Sequence, residues 1–211
     1  MDKEVTVLCK DIMNQVREKR QVILDIATRI FSRYGYAKTS LDEIAHEARI
    51  AKGTIYYYFP SKEDLFMHVV EAQAQAFVDE MHQNIRNISG FENKLRYFMH
   101  APLTHVCEKM PLLVEGLKTI PFNLQQHFEG FREENRAKML SLLMEIIHEG
   151  IDTGLISERV SPQRLCEVIN DWFLMGNLSI VVVDFEELLQ RIQRDHEVII
   201  QLIMYGIMKR G

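Results

Sequence analysis

The sequence predicts an all-α chain: an N-terminal three-helix head of helix-turn-helix type set on a larger helical body, about nine helices in total. Three observations lead there. Apolar residues recur at helical spacing through most of the 211 residues, and no stretch between turn signals sustains the two-residue alternation of a half-buried strand. Two capping signatures, Ser40 with Glu43 and Ser61 with Asp64, mark helix starts close together near the N-terminus. Charge is segregated as well. Residues 17–62 hold nine Lys or Arg against five Asp or Glu, a balance of +4, so with a net charge of -5 the remainder carries -9. A small basic head on an acidic body suggests a polyanion-binding module joined to something with another task.

The elements follow in order. Ile23, Ile26, Ala27, Ile30, Phe31 and Tyr34 predict a first helix from about Arg17 to Tyr34, ended by Gly35. After Ser40, the residues Leu41, Ile44, Ala45 and Ala48 make one face of a short second helix. A tight turn at Arg49 to Ala51 leads to a third helix, Lys52 to Tyr58, which Pro60 stops; a fourth begins near Lys62. Beyond the head, breaks at Ser89 and Gly90, Met110 and Pro111, Ile120 and Pro121, Gly150 to Ser157, Ser161 and Pro162, and Asp184 to Glu187 leave six longer helical segments. Gly150 and Gly154, four apart, fall in a polar connector and read as helix termination rather than as a packing motif. The expected division is a head of residues 1–61 and a body of residues 62–211.

Composition narrows the class. With 47% hydrophobic and 26% charged residues, 10 Gly and 5 Pro, the chain is neither disordered nor collagen-like. The longest run without a charge, Trp172 to Val183, has 12 residues, where a membrane span needs about 20, so no transmembrane helix and no membrane partner is expected. Asp2, Glu4 and Asp11 interrupt the N-terminus, which does not read as a secretory signal; a cytoplasmic location is expected. Cys9, Cys107 and Cys166 fit neither a disulfide framework nor a zinc site and read as buried thiols, with a redox sensor at Cys107 or Cys166 as a rival.

The second and third helices of the head, joined by a three-residue turn and preceded by a bracing helix, have the plan in which the later short helix enters a DNA major groove. At 100° per residue, with Ile55 toward the core, Phe59 lies nearby, Gly53 and Tyr57 lie about 160° and 200° away, and Thr54 and Tyr56 flank them. Gly53, Thr54, Tyr56 and Tyr57 therefore face outward. A phenol can donate to a phosphate, a threonine methyl can meet a thymine methyl, and glycine admits close backbone approach. Lys52 and Lys62 flank the helix and suit phosphate neutralisation.

The run from Phe31 to Ala45 (FSRYGYAKTSLDEIA), continued by Lys52 to Leu65 (KGTIYYYFPSKEDL), resembles the DNA-binding domain of the TetR family of bacterial transcriptional regulators, over about Gln21 to Phe66. The resemblance implies base and phosphate contacts from Lys52, Gly53, Thr54, Tyr56 and Tyr57, and phosphate contacts from Ser40, Tyr58 and Lys62. It also implies a helical body with a ligand pocket and a homodimer interface from the last two helices. One position departs from the family pattern: the turn after the second helix, where the family places glycine, holds Arg49. A left-handed Arg49 would cost about 1 kcal/mol.

The body is biased toward Met and Phe. Candidate pocket residues are Phe77, Met81, Phe98, Met99, Leu103, Leu113, Leu117, Phe131, Trp172 and Met175, and most of this bias is core packing. His100, His105, Cys107 and Glu108 do not share a helical face and predict no metal site; the histidines read as pocket polar groups or surface residues. No phosphate-binding glycine loop, nucleophile elbow or zincin motif occurs, so neither a cofactor nor an enzyme activity is expected. Segments Gln163 to Val183 and Leu188 to Lys209 are too apolar for the outside of a monomer and predict an intersubunit four-helix bundle. The expectation is a homodimeric, small-molecule-responsive repressor on a palindromic double-stranded DNA operator, with an apolar or amphipathic effector. A dimeric structural or adaptor protein is the other rival.

Overall fold

The computed structural model describes residues 2–117, 119–121, 126, 129–156, 161–173 and 185–208. Among these are nine α-helices: α1 (Asp2–Lys38), α2 (Leu41–Glu47), α3 (Lys52–Tyr58), α4 (Lys62–Asn87), α5 (Phe91–Thr104), α6 (Pro111–Leu117), α7 (Glu129–Asp152), α8 (Pro162–Phe173) and α9 (Phe185–Ile207). One turn of π-helix, His105–Lys109, separates α5 from α6. The only strand-like pairing among the described residues is a single bridge between Ile156 and Met208. The chain is all-α, as the periodicity predicts. By packing it divides into two compact units, residues 1–73 with 112–125, and residues 74–111 with 126–211. Helix α4 starts at Lys62 and contributes to both.

In the first unit α1 starts at Asp2, well before Arg17. The apolar stripe begins only at Ile23, but nothing before Gly35 breaks a helix, so intrinsic propensity extends α1 with Met13, Val16 and Val22 left exposed. At Gly35, φ is 79° and the helical path is interrupted. Thr39 Oγ1 donates to the Gly35 carbonyl at 2.8 Å, and the chain turns into α2. The core of this unit takes Ile23, Ala27 and Phe31 from α1, Leu41 and Ile44 from α2, Ile55 from α3, and Leu65 and Phe66 from α4, all buried. Each of the Ile, Leu and Phe side chains among them contributes about 1.5–3 kcal/mol on burial. The Phe66 ring meets Phe31 at 5.1 Å, near perpendicular, and Tyr36 at 4.9 Å.

The second unit packs α5 on α7 and α7 on α8. Leu95, Phe98 and Met99 of α5, Leu143 and Ile147 of α7, Ile169 of α8 and Ile200 of α9 are fully enclosed there. Gln75 on α4 accepts from Lys138 on α7 at 2.9 Å, and Lys94 on α5 pairs with Glu149 on α7. The two glycines read as terminators behave differently. Gly154, at φ 70°, follows the end of α7, whereas Gly150 lies inside the helix and is buried. A Cβ there would sit 2.7 Å from both the Phe91 ring and Ile156 Cδ1, so Gly150 is a close-packing position. The polar neighbours that suggested a connector, Asp152 and Thr153, are exposed at and just past the end of α7.

Candidate nucleic-acid interface

Helix α2 is fixed at its start by a complete capping box. Glu43 N–H donates to Ser40 Oγ at 3.2 Å, and Ser40 N–H donates to Glu43 Oε2 at 2.8 Å. Ser40 Oγ also donates to Glu43 Oε2 at 3.1 Å, so its hydroxyl is committed within the chain. At the other end Ile50 N–H reaches the Ala45 carbonyl at 3.0 Å, and Arg49 N–H reaches the His46 carbonyl at 3.1 Å. This pair of bonds is the Schellman termination, which requires a left-handed residue at the position Arg49 occupies. Arg49 has φ 54°, the only positive φ of a non-glycine residue among those described. The turn therefore keeps the backbone path that glycine would give, with an exposed guanidinium added.

That turn delivers α3 with Ile55 and the following Phe59 fully buried. Tyr57 is 76% exposed, Tyr56 and Gly53 are exposed, and Thr54 and Tyr58 are half-buried. A Cβ at Gly53 would meet nothing within 4 Å. The Tyr57 and Tyr58 rings meet edge to face at 5.0 Å. Gly53, Tyr56 and Tyr57 lie outward and Ile55 and Phe59 inward, as the helical wheel expects, whereas Thr54, also expected outward, is half-buried.

Both flanking lysines are engaged. Lys52 Nζ lies 2.8 Å from Asp42 Oδ2, a bond that raises the lysine pKa. Lys62 Nζ sits 4.1 Å from the centre of the Tyr36 ring, where partial burial lowers its pKa. Tyr36 Oη in turn donates to Glu63 Oε1 at 2.6 Å. Burial, reinforced by that carboxylate, pushes the phenol above its ordinary range, while the hydrogen bond holds Glu63 below the usual 4.5. Sequence reasoning missed Asp42, Tyr36 and Glu63. Asp42 is ten residues from Lys52, and only the turn geometry brings them together.

Of the candidate pocket residues, Met81, Phe98 and Met99 are fully buried in the second unit, with Phe77 packed at the edge of the same cluster. Leu103 is buried and Phe131 half-buried. Leu117 belongs to the first unit. The side chains of Leu113 and Trp172, and Met175 altogether, lie outside the described residues, as does the Cys107 side chain. His105 is buried, while His100 is exposed. Cys166 is buried with Sγ 3.9 Å from Met144 Sδ, and burial pushes its thiol up to about 11. A thiol so placed is unreactive, which removes the support for a redox role at this cysteine.

Comparison with known proteins adds the family. Residues 23–69 match the family model of bacterial regulatory proteins, tetR family. The chain is 29% identical over 164 residues to the fatty acid metabolism regulator protein of Bacillus subtilis (strain 168), covering 74% of this chain and 80% of the relative. It is 42% identical over 64 residues to the HTH-type transcriptional regulator AcrR of Shigella flexneri, covering 30% of each. Its fold matches the transcriptional regulator FadR from Bacillus subtilis in complex with stearoyl-CoA, with a TM-score of 0.58, 21% identity, and coverage of 89% of this chain and 98% of that one. The match on the head falls on the same helices that present Gly53, Thr54, Tyr56 and Tyr57 outward. The head, residues 23–69, is a DNA-binding domain of the TetR family of bacterial regulatory proteins, carried by a chain with the all-α fold of its solved neighbours.

Proposed function

We propose that the protein represses transcription as a homodimer on a palindromic operator and is released by a small apolar or amphipathic effector. The observation that carries this reading is α3, a helix with a buried Ile55 and an outward face of Gly53, Thr54, Tyr56 and Tyr57, presented by a turn built on left-handed Arg49. In it, Lys52, Gly53, Thr54, Tyr56 and Tyr57 contact bases and phosphates, and Ser40, Tyr58 and Lys62 contact phosphates. Residues 1–61 form the DNA-binding part, and residues 62–211 bind effector and dimerise. The protein acts in the cytoplasm and is a regulator, not an enzyme. No helix among the described residues is long and apolar enough to cross a membrane.

Support for the dimer comes from α9, where Val198, Leu202 and Tyr205 are spaced along one face and exposed by 57%, 67% and 76%. Such a stripe is unfavourable against water and fits a second copy of the same helix across a twofold axis. Support for an amphipathic effector comes from the Bacillus relatives, one named for fatty acid metabolism and one solved with stearoyl-CoA. The test is selection of bound duplexes from a random pool by the full chain. Two inverted half-sites about 34 Å apart are expected. Recovery of single half-sites, or of no preferred sequence, would refute the palindromic dimer.

A further inference from the structure

Two polar side chains in the second unit lack what buried polar groups ordinarily have. His105 is 8% exposed, its ring 4.2 Å from that of Phe77, and neither ring nitrogen has a hydrogen-bond partner among the described residues. Asn135 on α7 is 9% exposed, and neither atom of its amide has a partner among them. Nearly all buried polar atoms in folded proteins are paired, so two such groups in one unit mark a place where a partner is wanted.

Their placement brings them to one part of the unit. Lys138 on α7 bonds Gln75 on α4, and the π turn lies against α4 through Lys109 with Glu80 and His105 with Phe77. Farther along, Asn84 meets Tyr97, and Lys94 meets Glu149, so α4 and α7 run in the same direction. Counted from these pairings, Asn135 and His105 are separated by about 7 Å along the bundle at 1.5 Å per residue. Asn135 is one turn from Met139, which is buried with Val78 and Met81. Phe77, Val78, Met81 and Met139 supply apolar surface beside them, and the Lys109–Glu80 and Lys138–Gln75 pairs lie on the same stretches. The π turn, which follows Pro102 in α5, is itself a geometry that recurs at functional sites.

We propose that His105 and Asn135 hold an uncharged hydrogen-bonding group, such as an amide, a hydroxyl or a carbonyl, of an otherwise apolar ligand. The inference rests on the effector reading above and names the class of molecule. Neutral imidazole and amide side chains both donate and accept, which suits a neutral head. Burial, with Lys109 in the same sense and Glu80 opposing, lowers the His105 pKa and keeps the ring neutral. Three charged pairs on these stretches are already matched, Lys109 with Glu80 at 3.1 Å, Lys138 with Glu134 at 2.9 Å, and Arg136 with Glu133 at 3.6 Å, and Glu108 on the π turn is exposed to solvent. A charged head would find no free counter-charge among the three pairs.

The test is calorimetric titration of the full chain with dodecanamide, dodecanol, dodecanoate and dodecylamine, four probes sharing one tail. The amide and alcohol are expected to bind about tenfold or more tightly than the carboxylate and amine, the equivalent of one hydrogen bond. His105→Phe and Asn135→Leu should each weaken dodecanamide about tenfold, while the melting temperature without probe stays equal or rises, because an unpaired buried group has been removed. Four results would overturn the proposal: no probe binds; a charged probe matches the amide; the variants bind dodecanamide like the parent; or the variants melt lower, which would show that the two groups are satisfied within the protein, for example by bound water. Failure of the repressor reading registers separately, as dodecanamide binding that leaves retention of the selected duplex unchanged.

Discussion

The Lys52 ammonium lies 2.8 Å from the Asp42 carboxylate, so the lysine that opens α3 is neutralised by the helix before it. Both side chains are exposed, and an exposed, solvent-screened pair of this kind contributes little to stability. It can therefore be exchanged for a phosphate at little cost. Asp42→Asn should leave the melting temperature nearly unchanged and bind operator several-fold more tightly, because Lys52 then meets a phosphate without first giving up a carboxylate. Titrations at a series of salt concentrations read this directly. An unchanged affinity would mean that Lys52 does not reach the backbone of the duplex.

Arg49 carries a left-handed backbone in the turn between α2 and α3. Glycine adopts that conformation without the Cβ clash but loses more freedom on folding, so the two effects partly offset. Arg49→Gly should raise stability by up to about 1 kcal/mol. Chemical denaturation compares the two proteins, and a clear loss of stability would show that the guanidinium makes a contact the fold needs. A salt slope shallower by about one unit in the same variant would identify Arg49 as a phosphate contact.

Tyr36 and Glu63 tie α1 to the start of α4 through a 2.6 Å hydrogen bond, and Glu63 titrates below its ordinary 4.5 as a result. A carboxylate with a depressed folded pKa contributes stability that is fully present above its unfolded value and is lost as pH falls through the folded one. Tyr36→Phe keeps the ring against Phe66 and under Lys62 but removes the donor. The variant should be less stable by about 1 kcal/mol at neutral pH, a figure reduced for partial exposure. The gap should close as the pH falls below 4.5. Urea melts at neutral pH and at about pH 3 decide it; a gap of the same size at both would place the effect in packing.

The head was legible because each of its signals is local. Ser40 with Glu43 gives one helix start, and the alternation of Ile55 and Phe59 with Gly53 and Tyr57 gives the outward face of α3. The conformation of Arg49 was not legible: its position leaves open whether the turn departs from the glycine pattern, and the hydrogen bonds that end α2 make it left-handed. The extent of α1 was less legible, because residues 13–22 are helical without burying a face. Gly150 was misread for a related reason: its neighbours in sequence are polar, and the Phe91 ring that makes the position tight is 59 residues away. The Lys52–Asp42 pair and the unpaired His105 and Asn135 depend on tertiary geometry that no spacing in one sequence encodes.

Leu202 sits 67% exposed between Val198 and Tyr205 on α9. In a twofold four-helix bundle it would be buried, and a charge there would be left unpaired in the seam. Leu202→Glu should therefore yield a folded monomer that binds a half-site duplex but loses the added affinity of the palindrome. Sedimentation velocity and helical content by circular dichroism make the pair of measurements. A dimer that survives the substitution would move the interface elsewhere.

Gly150 is the sharpest packing constraint in the second unit. On propensity alone, replacing this glycine in the last turn of α7 by alanine would stabilise the helix by at most about 1 kcal/mol. The added methyl, however, would lie 2.7 Å from two carbons of the Phe91 ring and from Ile156 Cδ1. Phe91 is 2% exposed and Ile156 4%, so neither can swing outward without exposing apolar surface. Overpacking of this kind costs about 1–3 kcal/mol, enough to cancel the propensity gain and reverse it. Gly150→Ala should melt lower than the parent, and Gly150→Ala combined with Phe91→Leu should recover part of the loss, because the smaller side chain yields the space. An alanine variant that melts higher, with no benefit from the second change, would show that the contact between α7 and the start of α5 is looser than these distances require.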